Sequence, residues 1–179
     1  MGRMCLIVAV RARGLLGSGM ANLEPADLTV ATLVELVGRQ FAPTQWITID
    51  QPLIDAFADC TGDHQFIHVD PERVARETAF PGTVAHGFLL LSLAAGHRQR
   101  DFPKVTDAAL TLNYGIDKLR FINPVFAGQR VRYQTRVLAA EPRGDGRVLL
   151  RQQATLQIEG QEKPALVAEL LALYIARGS

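Results

Sequence analysis

Residues 83–97, TVAHGFLLLSLAAGH, are apolar on nearly every side. A helix with that pattern has no solvent face, so it belongs inside a protein rather than on its surface. From Ala108 onward the spacing of apolar residues changes from about 3.6 to about 2. Leu110, Leu112, Tyr114 and Ile116 alternate with Thr111, Asn113 and Gly115. Val131, Tyr133, Thr135 and Val137 alternate with Arg130, Arg132, Gln134 and Arg136. Turn clusters at 142–146 and 159–162 separate two more strands, one carrying Leu150, Ala154, Leu156 and Ile158, the other the nearly continuous apolar run 165–175. Strands segregated from one buried helix predict an α+β fold. The expected arrangement is an antiparallel sheet in meander order around the helix, one face on the helix and the other on solvent or a partner.

The upstream half prepares that core. Residues 28–37 predict a short helix capped by Asp27 or Thr29 and closed by Gly38 in the left-handed conformation. Residues 45–49 predict a strand. Asp50 caps a helix that sets Leu53, Ile54, Phe57 and Ala58 on one face and ends at Thr61-Gly62. Residues 63–70 predict a loop, and Asp70-Pro71 opens a short helix to about Thr78. The chain has 179 residues, enough for one domain with a sizeable core. An apolar run at 4–10 is broken at once by Arg11 and Arg13, which does not suit a secretory signal. Residues 1–19 are therefore expected to be a poorly ordered extension and 20–179 the domain, with Met20 a candidate start. No apolar run reaches the ~18–20 residues of a membrane span. Nineteen basic against eighteen acidic residues, net +1, argue against nucleic acid as the partner. The two cysteines, Cys5 and Cys60, build no disulfide framework and no metal motif, which predicts free thiols in a reducing cytoplasm.

The chemistry-bearing residues sit between the helices. Asp63 and His68 are five positions apart, which on a helix would rotate them ~140° from each other at ~100° per residue. They face one substrate only from a loop, and Gly62 with the polar run after it predicts one. Hydration of a conjugated double bond needs a base for water, an acid for the carbon beside the carbonyl and a donor for the enolate oxygen. A carboxylate and an imidazole supply the first two. A backbone N–H at the start of the apolar helix, at His86-Gly87, supplies the third, and glycine there lets a carbonyl come close. The same residues also suit a turn-capping Asp and a satisfied loop His. His64 and His68, four apart, lack a third ligand in sequence, so no metal is expected. His97 suits a helix C-terminus as a cation.

The segment 57–71, FADCTGDHQFIHVDP, resembles the hydratase motif of MaoC-like dehydratases. VAHG at 84–87, NYG at 113–115, Arg120-Phe121 and Pro124-Val125 resemble that family too, in its NodN-like group. The resemblance implies a homodimeric hot-dog enzyme that adds water to trans-2-enoyl-CoA to give (R)-3-hydroxyacyl-CoA. It implies that Asp63 and His68 hold the catalytic water and that the Gly87 amide polarises the thioester carbonyl. Gln65, His86, Phe88, Asn113 and Tyr114 are the expected substrate contacts. No separate cofactor is expected, since CoA enters with the acyl-CoA substrate. The run 88–93 then lines an acyl tunnel as well as core, and Lys118, Arg120, Arg130 and Arg132 are either a solvated face or contacts for the CoA phosphates. Gln65 and Phe66 stand where many members have Asn and Pro, a departure that bears on loop rigidity. Two other readings are a hot-dog thioesterase and a non-catalytic NodN-like acyl-thioester binder; the acid–base pair speaks against the binder.

Overall fold

The computed structural model describes residues 27–97 and 99–178. The expected extension at 1–19, the start at Met20, and Cys5 lie outside them. The change of rhythm marks the passage from helix to sheet. After β1 (Ile47–Thr48) come α1 (Gln51–Thr61), α2 (Phe66–Val69), α3 (Pro71–Glu77) and α4 (Gly87–Gly96). Four long strands follow: β2 (Ala108–Phe121), β3 (Arg130–Pro142), β4 (Arg147–Ile158) and β5 (Leu166–Ala176). The expected helix at 28–37 is a 3-10 turn, Ala31–Leu36, and Gly38 closes it with φ +86.

All five strands form one antiparallel sheet in the order β1-β3-β4-β5-β2. The expected meander holds for β3, β4 and β5. β2 does not join β3; it crosses to the far edge and pairs with β5, from Ala108 opposite Ala176 to Phe121 opposite Leu166. The connection from β2 to β3 is occupied otherwise: the Val125 carbonyl accepts from the Ala85 N–H at 2.8 Å, and Phe126 bridges Val84.

α4 lies against the concave face of this sheet, the hot-dog arrangement. Leu89 and Leu90 are buried with Ile54, Tyr133, Leu156 and Leu166. The helix starts at Gly87 rather than Thr83, because 83–86 are held extended by Ala85 to Val125 and by the Ala127 N–H to the Thr83 carbonyl, 2.9 Å. Its burial is also one-sided, unlike the expectation from its sequence. Phe88 is 65% exposed, since the sheet covers only one side of the helix. Tyr133 fixes helix to sheet: its hydroxyl donates to the Leu90 carbonyl at 2.5 Å, and burial pushes the phenol well above its usual range. A second cluster packs Val30, Leu33 and Leu36 on Phe41, Val137 and Leu150.

β2 is two-faced in an informative sense. Its polar members Thr111 and Asn113 turn towards α4. The alternate residues Leu110, Leu112 and Tyr114 stand on the other face, exposed at 47%, 48% and 62%.

Candidate active site

Local signals deliver the reactive side chains to the start of α4. The Asp50 carboxylate accepts from the Leu53 N–H at 3.1 Å and starts α1. Gly62, at φ +77, ends it, a conformation that favours glycine, and its N–H donates to the Ala58 carbonyl at 2.8 Å. Asp63 follows on the exposed shoulder. The expected loop at 63–70 contains one helical turn, α2, which turns His68 inward to 8% exposure. Asp70 caps α3 through the Arg73 N–H at 2.9 Å. The Arg73 guanidinium lies 4.1 Å over the Phe66 ring, which pins the turn where the family resemblance led one to expect a proline.

His68 is oriented from behind. Its Nδ1 lies 2.5 Å from the Val84 carbonyl. A carbonyl only accepts, so Nδ1 carries the proton and a neutral His68 offers its Nε2 lone pair to a ligand. One ring nitrogen each of His68 and His86 and a carboxylate oxygen of Asp63 all lie within 4.8 Å of one another. The His86 ring stacks on His68, centroids 3.7 Å apart, and meets Phe57 at 5.1 Å. His86 Nε2 donates to the Asp63 backbone carbonyl at 2.9 Å and lies 4.0 Å from the Asp63 carboxylate. His86 therefore fixes the backbone that carries the carboxylate. It is 4% exposed and its Nδ1 is buried without a protein partner. The Asp63 side chain is 57% exposed. The sequence-expected pair thus converges, one group solvated and one shielded.

Gly87 opens α4 beside this group, and His86 at the N-cap position makes no side-chain cap. The need for glycine has a further reason: a Cβ there would lie 2.9 Å from the Phe121 ring. A cleft of about 350 Å³ runs along α4 from Phe88 to His97, with Phe88 and Asn113 in its wall. It begins one residue beyond Gly87. Asp63, His68, His86 and Gly87 are not among its lining residues. Gln65 is exposed, with its N–H 3.4 Å from the Asp63 carboxylate, so it serves the loop. Tyr114 is not a cleft residue; strand alternation puts it on the opposite face of β2.

Sequence reasoning missed the support beneath His68. Gln51 donates to the His68 carbonyl at 2.8 Å and to Asp55 at 2.7 Å, while its own oxygen accepts from the Thr83 hydroxyl. One amide thus joins α1, α2 and the strand-like lead into α4. Nothing in the sequence marks Gln51 beyond its place after a helix cap, because its partners are 17 and 32 residues away. Gln51→Leu is expected to lower stability by about 1–3 kcal/mol by orphaning buried partners. Denaturant melts check this, and an unchanged midpoint would remove Gln51 from the support.

The basic candidates are mostly engaged. Lys118 pairs with Glu169 at 2.6 Å, a contact that holds the Glu169 carboxyl below its usual range. Arg130 pairs with Glu159 at 2.9 Å, and Arg132 lies 4.4 Å over Trp46. His64 is exposed and bonds Asp59 at 2.9 Å, which raises its pKa.

A curled antiparallel sheet on one helix, with a carboxylate–imidazole group at the helix start, defines a hot-dog protein of the hydro-lyase class. The chain belongs to the MaoC-like domain family, whose sequence profile matches residues 32–156. It is 42% identical over 147 residues to nodulation protein N of Rhizobium leguminosarum bv. viciae, covering 82% of this chain and 91% of that one. It is also 42% identical over 148 residues to 3-hydroxyacyl-thioester dehydratase Z of Mycobacterium tuberculosis, covering 83% and 97%. Among solved structures, the (R)-hydratase from A. caviae involved in PHA biosynthesis superimposes with a TM-score of 0.60 at 26% identity, over 76% of this chain and 94% of that one. A monoamine oxidase regulatory protein from Archaeoglobus fulgius shares the fold with a TM-score of 0.69 at 23% identity, over 83% and 94%.

Proposed function

We propose that this protein is an (R)-specific enoyl-CoA hydratase that adds water reversibly to trans-2-enoyl-CoA and gives (R)-3-hydroxyacyl-CoA. The observation that carries this reading is the meeting of Asp63 and His68 within 4.8 Å at the amino end of α4. A water between the carboxylate and His68 Nε2 has two acceptors for its protons. As its oxygen bonds to C3, one proton passes to the pair, and the pair returns a proton to C2. The enolate oxygen that develops is held by the Gly87 N–H, at the positive end of the helix. The relatives named dehydratase and (R)-hydratase support this chemistry.

The experiment follows the loss of enoyl absorbance with crotonyl-CoA and longer enoyl-CoAs, with chiral analysis of the product. Release of free thiol without loss of the enoyl band would identify a thioesterase instead. Tight binding without turnover would identify a binder.

In this reading the site works without a metal, although Asp63, His68 and His86 have ligand-like spacing. His68 Nδ1 and His86 Nε2 each donate to a carbonyl oxygen, which leaves His68 Nε2 for the water and His86 Nδ1 without a protein partner. Turnover is expected to be unchanged after dialysis against EDTA. A loss restored by a divalent cation would overturn this part of the reading. We further propose a cytoplasmic homodimer. Cys60 is free and exposed, as suits a reducing compartment. No helix among the described residues is long and apolar enough to cross a membrane. The exposed Leu110, Leu112 and Tyr114 on β2 support the second copy.

A further inference from the structure

The wall of the cleft along α4 mixes apolar side chains, among them Phe88, Leu91 and Leu171, with the polar Thr111, Thr135, Gln152 and Gln99. No Asp, Glu, Lys or Arg among the described residues lines it. A plain alkyl chain would gain nothing from those polar side chains, and an anionic end group would find no Lys or Arg, the His97 imidazole being the one basic side chain among the described lining residues.

Thr135 is the anomaly. It stands on the inner face of β3 between Tyr133 and Val137, which are 1% and 0% exposed. Every rule of strand patterning asks for an apolar residue there. Thr135 is itself only 7% exposed, and its hydroxyl has no hydrogen-bond partner in the protein. Buried hydroxyls are normally bonded. The hydroxyl is sealed in this rotamer while Thr135 forms part of the cleft wall, so its partner is expected from whatever fills the cleft once the side chain turns. A rotation about χ1 brings the hydroxyl to the position of the methyl group. Gln99, also 7% exposed, is a second shielded polar side chain of the cleft wall.

The position along the chain can be read from two anchors. Tyr133 reaches the Leu90 carbonyl, three residues into the helix from Gly87. Val137 belongs to the cluster around Phe102, past the helix end. β3 therefore climbs towards the far end of α4. Thr135 lies about 4.5 Å (to Leu90) plus about 7 Å (two strand residues) from Gly87, at about 1.5 Å and 3.4 Å per residue. An extended chain advances about 1.2 Å per bond, so roughly nine bonds separate the thioester carbonyl from Thr135.

Resting on the acyl-thioester reading above, we propose that Thr135, with Gln152 and Gln99, forms a subsite for an uncharged hydrogen-bonding group, a hydroxyl or a carbonyl, carried roughly nine bonds from the thioester. The preferred acyl chain is then medium-length and oxygenated at its far end.

The test compares binding of decanoyl-CoA and ω-hydroxydecanoyl-CoA, neither of which can be hydrated, by calorimetry. The wild-type protein is expected to bind the hydroxylated chain about tenfold more tightly. Thr135→Val, which keeps the shape and removes the hydroxyl, is expected to erase most of that preference and to raise the melting temperature of the free protein. Equal affinities in the wild type, or a preference that survives Thr135→Val, overturns the subsite. Crotonyl-CoA is too short to reach Thr135, so its hydration by wild type and variant alike tests the hydratase reading separately. Failure of that turnover with the binding preference intact removes the reaction and leaves the subsite standing.

Discussion

Asp63→Asn and His68→Gln are each expected to lower turnover of crotonyl-CoA at least ~100-fold, the low end for loss of a general acid or base. The structure predicts different side effects for the two. The Asp63 side chain is 57% exposed, and its backbone carbonyl, not its carboxylate, holds His86 at hydrogen-bond distance. Asparagine keeps that carbonyl and the side-chain shape, so its melting temperature is expected to match the wild type. His68 is 8% exposed and donates to Val84 from Nδ1. Glutamine retains an N–H donor but not the ring that stacks on His86, so a loss of about 1 kcal/mol of stability is expected as well. The double variant is expected to be little worse than either single one, because groups acting on one water fail together. Steady-state kinetics with thermal melts decide it: a folded Asp63→Asn protein with wild-type turnover would end the hydratase assignment.

The residues that make up this pair were legible because their signals are local. A capped helix, a glycine that ends it at φ +77, a histidine five positions later and an Asp-Pro start are all read within one short stretch. The apolar helix and the period of 2 after it gave the fold class for the same reason. What the sequence withheld depends on distant pairing. Whether β2 neighbours β3 or β5 is decided by where the connection at 122–129 is tied, and its tie is to Ala85. The one-sided burial of α4 is invisible to an apolar count, since a helix under a sheet and a helix under a second copy read alike. Gln51 was missed because its partners come from two other elements. The family resemblance placed Tyr114 with the substrate beside Asn113, yet adjacent strand residues face opposite ways.

The Leu112→Lys, Tyr114→Lys double variant is expected to run as a monomer where the wild type runs as a dimer, measured by light scattering on a sizing column. β2 is a fourteen-residue strand at the edge of the sheet. Long edge strands leave a row of backbone donors and acceptors for another chain unless something blocks them. Here Asp117, Lys118, Arg120 and the register shifts against β5 guard the second half of β2, and the first half carries Leu110, Leu112 and Tyr114 bare. The face of β2 turned away from α4 bares Leu110, Leu112 and Tyr114 at 47%, 48% and 62%, and Phe88 on α4, Phe121 and Ile122 are bare as well at 65%, 46% and 47%. So many large apolar side chains left in solvent suit a surface that another chain covers. A two-fold contact sets the same patch against itself, so each lysine meets its own copy and the repulsion counts twice. Turnover is expected to fall at least about tenfold with dissociation, because Phe88 follows Gly87 directly and would lose its cover at the mouth of the cleft. A wild-type protein that stays monomeric at micromolar concentration would refute the dimer. A lysine variant that dissociates with full activity would show instead that each copy completes its own site.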